Sequence, residues 1–550
     1  MSSPSGSALL GRAAGTVRAA TSLGGNAVAQ KRTGDLRAHQ AGPLWMRILP
    51  TAVTFAVMMV GISVPSFWRD EAATLSAVRR PFPELIRMLG NVDAVHGFYY
   101  MIMWVLVRAF GTGEFALRLP SAIAMAVAAG FVAALGRRLV SPRAGLAAGV
   151  LFAVVPDISL YGQDARSYAM VTAVAAIASY LLIRALGAEH GHQRRWWVTY
   201  AVSVALLGIL NIFGLLLVIA HGVTVLLRMA RPEEGQSRRA VLLRWVAAAG
   251  TGLIVTSPLL VLGWFQRGQI SWLVAPGEAG VTSVTKLIGP PAETIAVVVF
   301  FIVGIAITAV RARKLPAWFG TLPALCLPWL ILPAAILLVG SAITPVYNFR
   351  YILFCVPAAV LLGGAGVAAL GRIGGTAAVI IVAVLSLNSQ VFVRTPGGHG
   401  DDIRQADRLI AQSAQPGDSV LYTNTNAEDF GAAYTYGLSQ LHNIDLAQRP
   451  IPSGTLGGVN VSPDVLHERL AHASRLWIVE INSSAPAGTL LQGLHYHLIW
   501  IWRTSDIWLR LYVRKGTPAY AAAVRAGELK GSPVGTGVDP STFGKNAPGA

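Results

Sequence analysis

Run after run of about twenty apolar residues decides what this chain can be, because that length is what a helix needs to cross a bilayer. Such runs fall at approximately 48–68, 117–136, 144–161, 167–183, 196–210, 212–227, 245–264, 292–310, 319–343, 351–370 and 375–393. With 54% of its 550 residues hydrophobic and only 13% charged, the chain is too apolar for a soluble protein of its size. The expected fold is an all-α polytopic membrane protein of about eleven transmembrane helices. A further apolar piece, Gly97–Phe110, is short for a span and is closed by Arg108. It suits an interfacial or re-entrant helix.

Loop charge gives an independent check. If Gly97–Phe110 does not cross, four basic loops share the side of the basic N-terminus. They hold Arg137, Arg138 and Arg143; Arg194 and Arg195; Arg231, Arg238 and Arg239; and Arg311, Arg313 and Lys314. If it crosses, all four move to the other face, against the positive-inside rule. The N-terminus is therefore expected in the cytoplasm and the C-terminal part outside it, in a multi-pass plasma-membrane protein. The same rule accounts for the net charge of +18, so nucleic acid is not an expected partner. Cys326 and Cys355 both fall in apolar runs, without metal-ligand spacing.

The chain divides by composition. Residues 1–43 mix Arg and Lys with Gly, Ser and Ala and lack a hydrophobic signal core, which reads as a disordered cytoplasmic tail. Residues 44–393 are the membrane domain. From 394 to 516, helix-like and strand-like segments alternate, ending in HLIWIWRT and IWLRLYVRK, which pattern as paired strands. This predicts a small extracytoplasmic α/β domain. The Gly-, Pro- and Ala-rich 517–550 reads as a disordered tail.

The predicted topology brings four polar stretches to the outer face. The first span runs out at Asp70 and Glu71, after Arg69. Next, Phe82, Leu85, Ile86 and Leu89 share one face of a helix bracketed by Pro81, Pro83 and Gly90, as an interfacial helix would. Asp93 and His96 precede the aromatics Phe98, Tyr99 and Tyr100. Gln163, Asp164, Arg166 and Tyr168 crowd the start of one span, Arg350 and Tyr351 that of another, and the loop around Trp264–Pro291 lies on the same side. Desolvating such groups costs several kcal/mol unless they face a polar cavity. Arginines that fork onto phosphate, beside carboxylates able to take a hydroxyl proton, suit a phosphate-bearing lipid substrate. No carboxylate lies near Arg350 in the sequence, so a lipid phosphate is its expected partner.

These motifs resemble the integral-membrane glycosyltransferases of the GT-C superfamily. The closest pattern is the bacterial branch related to protein mannosyltransferases and lipid A aminoarabinose transferases. The likeness covers roughly residues 44–390 and rests on Asp70-Glu71, His96-Gly-Phe-Tyr-Tyr100, Leu117-Arg-Leu-Pro-Ser121, Tyr161-Gly-Gln-Asp-Ala-Arg-Ser-Tyr168 and Arg350-Tyr351. It implies inverting transfer of a sugar, mannose or similar, from a polyprenyl-phosphate donor to a hydroxyl of a glycan, lipid or protein acceptor. It also implies that Asp70 is the catalytic base. Glu71, His96, Tyr99, Gln163, Asp164, Arg166, Tyr168, Arg350 and Tyr351 are the substrate-binding candidates. This chain has His96-Gly97-Phe98-Tyr99 where the family often has His-Pro-Pro-Leu. Glu71 is left between orienting the acceptor, holding a divalent cation and pairing with Arg69; no other cofactor is indicated. A transporter or flippase of a polyprenyl-linked or anionic solute is the alternative. It would use the same arginines without needing the Asp-Glu pair.

Overall fold

The computed structural model describes residues 43, 45–187, 193–230, 237–271, 273, 277, 291–312, 321–400, 402–423, 430–434, 436–481, 490–503 and 507–529. The expected N-terminal tail and most of the Trp264–Pro291 loop lie outside the described residues.

Helix α1, Trp45–Met59, stops well short of the expected Trp68. Gly61 turns the chain there with φ of 67°, a region open to glycine at little cost. Side chains from elsewhere take the last carbonyls of α1. Gln163 Nε2 donates to Met58 O at 2.7 Å and Val60 O at 2.8 Å, and Arg394 to Val57 O at 2.8 Å and Val60 O at 3.0 Å. The first loop then folds as α2 (Arg69–Val78), α3 (Phe82–Asn91), a 3₁₀ turn (Ala94–His96) and α4 (Gly97–Phe110). On α3, Leu85, Met88 and Leu89 are buried, while Phe82 and Ile86 stay 40% and 45% exposed. Apolar residues facing both inward and outward fit a helix lying in the bilayer interface.

The membrane part continues with α5 (Glu114–Leu139), α6 (Pro142–Val154), α7 (Pro156–Gly162), α8 (Tyr168–Leu186), α9 (Gln193–Leu210), α10 (Leu216–Ala230), α11 (Arg238–Phe265), α12 (Pro291–Ala312), α13 (Leu322–Gly340), α14 (Val356–Ala369) and α15 (Gly371–Phe392). Each expected run carries helix. Among the described residues, seven helices are long and apolar enough to cross a membrane, or eight if α6 and α7 count as one span bent by 65°. The eleven read from hydropathy are not reached by that measure: α1, with 15 residues, and α9 and α12 fall outside the count. The bend between α6 and α7 has a local cause. Val155 precedes Pro156 and is held extended at ψ 122°, as a residue before proline prefers.

Beyond α15 comes α16 (Ile403–Ser413) and a five-stranded sheet. Its strands are β1 (Ser419–Tyr422), β2 (His442–Asn443), β5 (Arg475–Ile481), β6 (Tyr496–Arg503) and β7 (Ile507–Arg514), in the order β2-β1-β5-β7-β6. β1 runs parallel to β2 and β5, while β7 pairs antiparallel with β5 and β6. Two short strands, β3 (Leu446–Gln448) and β4 (Val459–Asn460), pair separately. Helix α17 (Pro463–His472) precedes β5. The stretch from Thr517, expected to be disordered, opens with helix α18, Pro518–Ala526, capped by the Thr517 hydroxyl. A small run of Ala and Tyr behind an N-cap and an N1 proline is enough for a helix.

This sheet region is fastened to the first loop. Arg80, 1% exposed, donates to the carbonyls of Pro450 at 3.1 Å, Thr455 at 2.5 Å and Leu456 at 3.4 Å. Arg87 adds Ile451 O at 2.6 Å, and Asn91 adds Gly454 O at 3.2 Å. Residues 450–458 therefore clamp α2 and α3, the helices that carry and follow Asp70. On the other side of α2, Arg404 donates to the carbonyls of Ser63, Val64 and Pro65.

Candidate active site

The adjacent carboxylates at the start of α2 point apart, because neighbouring residues on a helix lie about 100° from one another. Glu71 turns inward and is fully buried. Arg118, also fully buried, holds it by a fork: Nε to Oε1 at 2.8 Å and Nη2 to Oε2 at 2.6 Å. The Ala165 amide donates to Oε1 at 2.9 Å. The rest of the Arg118 guanidinium donates to the carbonyls of Ile62, Pro65 and Ser66. Glu71 thus pairs neither with Arg69 nor with anything that could enter from outside. It is the anchor of the irregular 60–68 ascent. That placement has one cause, the counter-charge forty-seven positions along the chain.

Asp70 faces the other way and keeps 19% of its side chain exposed. Its Oδ2 lies 2.7 Å from Arg350 Nη1 and 3.7 Å from Arg166 Nε. The expected isolation of Arg350 from carboxylates is therefore corrected: α2 delivers Asp70 to it across the bundle. Arg350 also lies over the rings of Trp68, at 5.7 Å, and Tyr168 and Tyr351, each at 5.9 Å. The Asn348 side chain caps the 3₁₀ segment Phe349–Cys355 that presents it. Tyr351 stacks on Phe213 with centroids 4.6 Å apart. Burial pushes the Asp70 carboxyl up, but Arg350 and Arg166, with Arg69, outweigh it and hold the group below its ordinary value. It is a carboxylate at neutral pH.

Arg166 turns away from Asp164, its neighbour in sequence. It donates to the Tyr100 hydroxyl at 2.9 Å, which in turn donates to Asp93 Oδ2 at 2.5 Å. Its Nη2 lies 3.2 Å from His96 Nε2. A guanidinium can only donate, so His96 must accept through Nε2 and carry its proton on Nδ1. Burial, helped by Arg166, pushes the His96 imidazole down to about 4 against the pull of Asp93 and Asp70, which agrees with that neutral form. Asp93 sits in the left-handed region, at φ of 62°. Gln269 and Gln266 accept from the amides of Asp93 and Ala94 at 3.0 and 2.9 Å and so fix the turn.

The remaining candidates lie behind this cluster. Asp164 Oδ1 accepts from the Trp68 indole at 3.0 Å. Burial first, then Glu71, push its carboxyl well above the ordinary range. The Tyr99 hydroxyl is buried and has no hydrogen-bond partner among the described residues. Gln163 serves the end of α1 and does not reach the cluster. Asp70, His96, Arg166, Tyr168, Arg350 and Tyr351 are brought together, while Glu71, Gln163 and Asp164 find their hydrogen-bond partners behind them. Among the described residues, no group of three or more His, Cys, Asp or Glu side chains is placed to hold a metal ion.

One residue had no sequence signal. His399, in the turn after α15, has both ring nitrogens buried without hydrogen-bond partners among the described residues, and its Nδ1 lies 3.9 Å from Glu71 Oε2. Nothing in GGHG separates it from an ordinary loop histidine.

Residues 97–264 match the dolichyl-phosphate-mannose-protein mannosyltransferase family. ArnT from Cupriavidus metallidurans in the apo state superposes with a TM-score of 0.55 at 15% identity, over 84% of this chain and 97% of that one. Its form bound to undecaprenyl phosphate gives 0.55 at 14% identity over the same shares. The chain has the GT-C fold. No curated protein matches its sequence. The first loop, with α2 to α4, sits between α5, α8 and the sheet region, and that is what gathers the cluster.

Two expected results follow from the buried pair. Glu71→Gln leaves the Arg118 charge uncompensated, which should cost about 3–5 kcal/mol of stability, read as a fall in Tm in detergent. Unchanged Tm with lost activity would return Glu71 to the substrate. His399 supplies the second. Burial and Arg118 hold its imidazole well below the ordinary 6.5, so the folded state resists a proton that the unfolded state accepts. Its stability is intact above pH 6.5 and falls below it, by up to about 1.4 kcal/mol per pH unit. His399→Gln should flatten that acid slope of Tm; an identical slope would contradict the assignment.

Proposed function

We propose that this protein is an inverting glycosyltransferase that moves a sugar, mannose or similar, from a polyprenyl-phosphate donor to a hydroxyl acceptor on the outer membrane face. The observation that carries the reading is the part-exposed Asp70 carboxylate 2.7 Å from Arg350 and 3.7 Å from Arg166. The mannosyltransferase-family match over residues 97–264 supports it. So does the ArnT fold, one form of which holds undecaprenyl phosphate.

In this reading Asp70 accepts the acceptor hydroxyl proton as that oxygen attacks the anomeric carbon. The bond from that carbon to the phosphate oxygen breaks on the opposite face, and its electron pair leaves with the lipid phosphate. The phosphate gains negative charge in that step, and Arg350 and Arg166 stabilise it. A donor phosphate beside Arg350 also competes with Asp70 for that guanidinium. Weakening the Asp70–Arg350 pair raises the basicity of Asp70 when the donor is in place. The chain Arg166–Tyr100–Asp93, with His96 alongside, keeps the second guanidinium from collapsing fully onto Asp70. The sheet region clamps α2 through Arg80 and so sets the position of the carboxylate. The test is product stereochemistry. A donor of defined anomeric configuration should give a product of the opposite one, read by NMR; retained configuration would contradict the single displacement.

A further inference from the structure

The corner that leads into α4 is held from a distant part of the chain. Gln266 caps α11, and Gln269 stands in the 3₁₀ turn Arg267–Ile270 that follows it. Gln266 Nε2 donates to the carbonyls of Leu89 at 3.0 Å and Gly90 at 3.3 Å, near the end of α3. Its Oε1 accepts from the Ala94 amide at 2.9 Å, and Gln269 Oε1 accepts from the Asp93 amide at 3.0 Å. Gln269 Nε2 closes the set by donating to Gln266 Oε1 at 3.3 Å. Gly263, one helical turn before Gln266, lets α11 lie against this corner: a Cβ there would come 3.0 Å from Val95 Cγ1.

The corner needs such support. Asp93 sits at φ of 62°, a conformation that a residue with a Cβ adopts only at a cost. The first N–H groups of a helical turn find no partner within it, and the two glutamine oxygens take them. The same corner carries the groups that hold Arg166. Asp93 Oδ2 accepts from the Tyr100 hydroxyl at 2.5 Å, and that hydroxyl accepts from Arg166 Nη1 at 2.9 Å. His96 Nε2 lies 3.2 Å from Arg166 Nη2. On the other side, Arg166 Nε lies 3.7 Å from Asp70 Oδ2. The guanidinium is thus stretched between the corner and the candidate base. If the corner relaxes, Asp70 draws the guanidinium in, and a guanidinium fully paired with Asp70 is withdrawn from a phosphate. Tying α3 to α11 would need only the two Nε2 bonds of Gln266. Both Oε1 atoms are instead spent on the amides of the corner.

We infer that Gln266 and Gln269 are positioning residues for Arg166. They fix the corner from Asp93 to His96, and through Tyr100 and His96 they keep this guanidinium where a lipid phosphate can meet it. The inference rests on the glycosyltransferase reading, and the glutamines act on the phosphate only through Arg166.

The test is a double-mutant cycle on the full-length protein in detergent, with two readouts. One is binding of undecaprenyl phosphate, titrated by native mass spectrometry; the other is sugar transfer from a polyprenyl-phosphate donor. Gln269→Met keeps the length of the side chain and loses the acceptor. It should weaken binding and turnover by about tenfold, within the span of coupling inside one hydrogen-bond network. In an Arg166→Ala background the same change should cost less than about twofold, because residues that act through a shared partner do not add. Gln266→Met should behave in the same way. Glutamines that merely hold the fold would lower Tm and give equal losses in both backgrounds. If Arg166→Ala does not fold, Tyr100→Phe serves as the background, and the Gln269→Met loss should again shrink there. An unaffected Gln269→Met, or a loss as large with the partner removed as with it present, overturns this inference alone. A wild type that neither binds undecaprenyl phosphate nor transfers sugar overturns the glycosyltransferase reading and this inference with it.

Discussion

Asp70→Asn should cut sugar transfer by about 10²–10⁴-fold, the range lost when a positioned general base is removed. The amide preserves the shape and can still accept from Arg350, but it cannot take the hydroxyl proton. Donor-lipid binding should therefore change far less than turnover, a split that a stability defect would not produce. Because the arginines hold Asp70 below its ordinary carboxyl range, the wild type should keep its activity as pH falls until that low value is crossed. If Asp70→Asn turns over normally, the base lies elsewhere.

Arg350→Ala should be the second severe loss, about 10²–10³-fold in turnover, as expected when a charge-stabilising donor is deleted. Lys at 350 keeps the charge and loses the fork, so Arg350→Lys should fall between the two. The substitution also acts on Asp70. Arg350 is the first of the cations that offset the effect of burial on that carboxyl. Without it the Asp70 value rises, and the acid limb of the pH–activity profile should move upward in Arg350→Ala and stay near the wild-type position in Arg350→Lys. Full transfer by Arg350→Ala, with an unmoved acid limb, would remove Arg350 from the phosphate site. Arg166 should respond less sharply, because Tyr100 and His96 already occupy it.

What could be read from the chain alone was what local pattern controls. Strands β6 and β7 lie where alternation placed them, because side chains on a strand alternate between two faces. Helix α4 begins and ends at Gly97 and Phe110 as anticipated. The cluster of Asp70, Arg166 and Arg350 was legible as three polar residues at apolar boundaries. Their pairing was not, since 280 positions separate Asp70 from Arg350 in the numbering and no local rule spans that gap. Glu71 shows the limit most clearly. Its neighbour Arg69 was the obvious counter-charge, yet Arg118 takes it, from a motif whose arginine carried no individual assignment. The contacts of Gln163 were hidden for the same reason: its partners are carbonyls left open by an early end to α1. The clamp of Arg80 on residues 450–458 had no signal at all, because backbone carbonyls are common to every sequence.

The most direct test of the account is to offer the purified, membrane-reconstituted protein a panel of polyprenyl-phosphate sugars with hydroxyl acceptors, and to follow both the sugar and the lipid. The predicted result is release of polyprenyl phosphate matched by glycosylated acceptor for at least one sugar, abolished in Asp70→Asn. Movement of intact donor lipid across the membrane with no sugar transferred, unaffected by Asp70→Asn, would contradict it and favour a flippase.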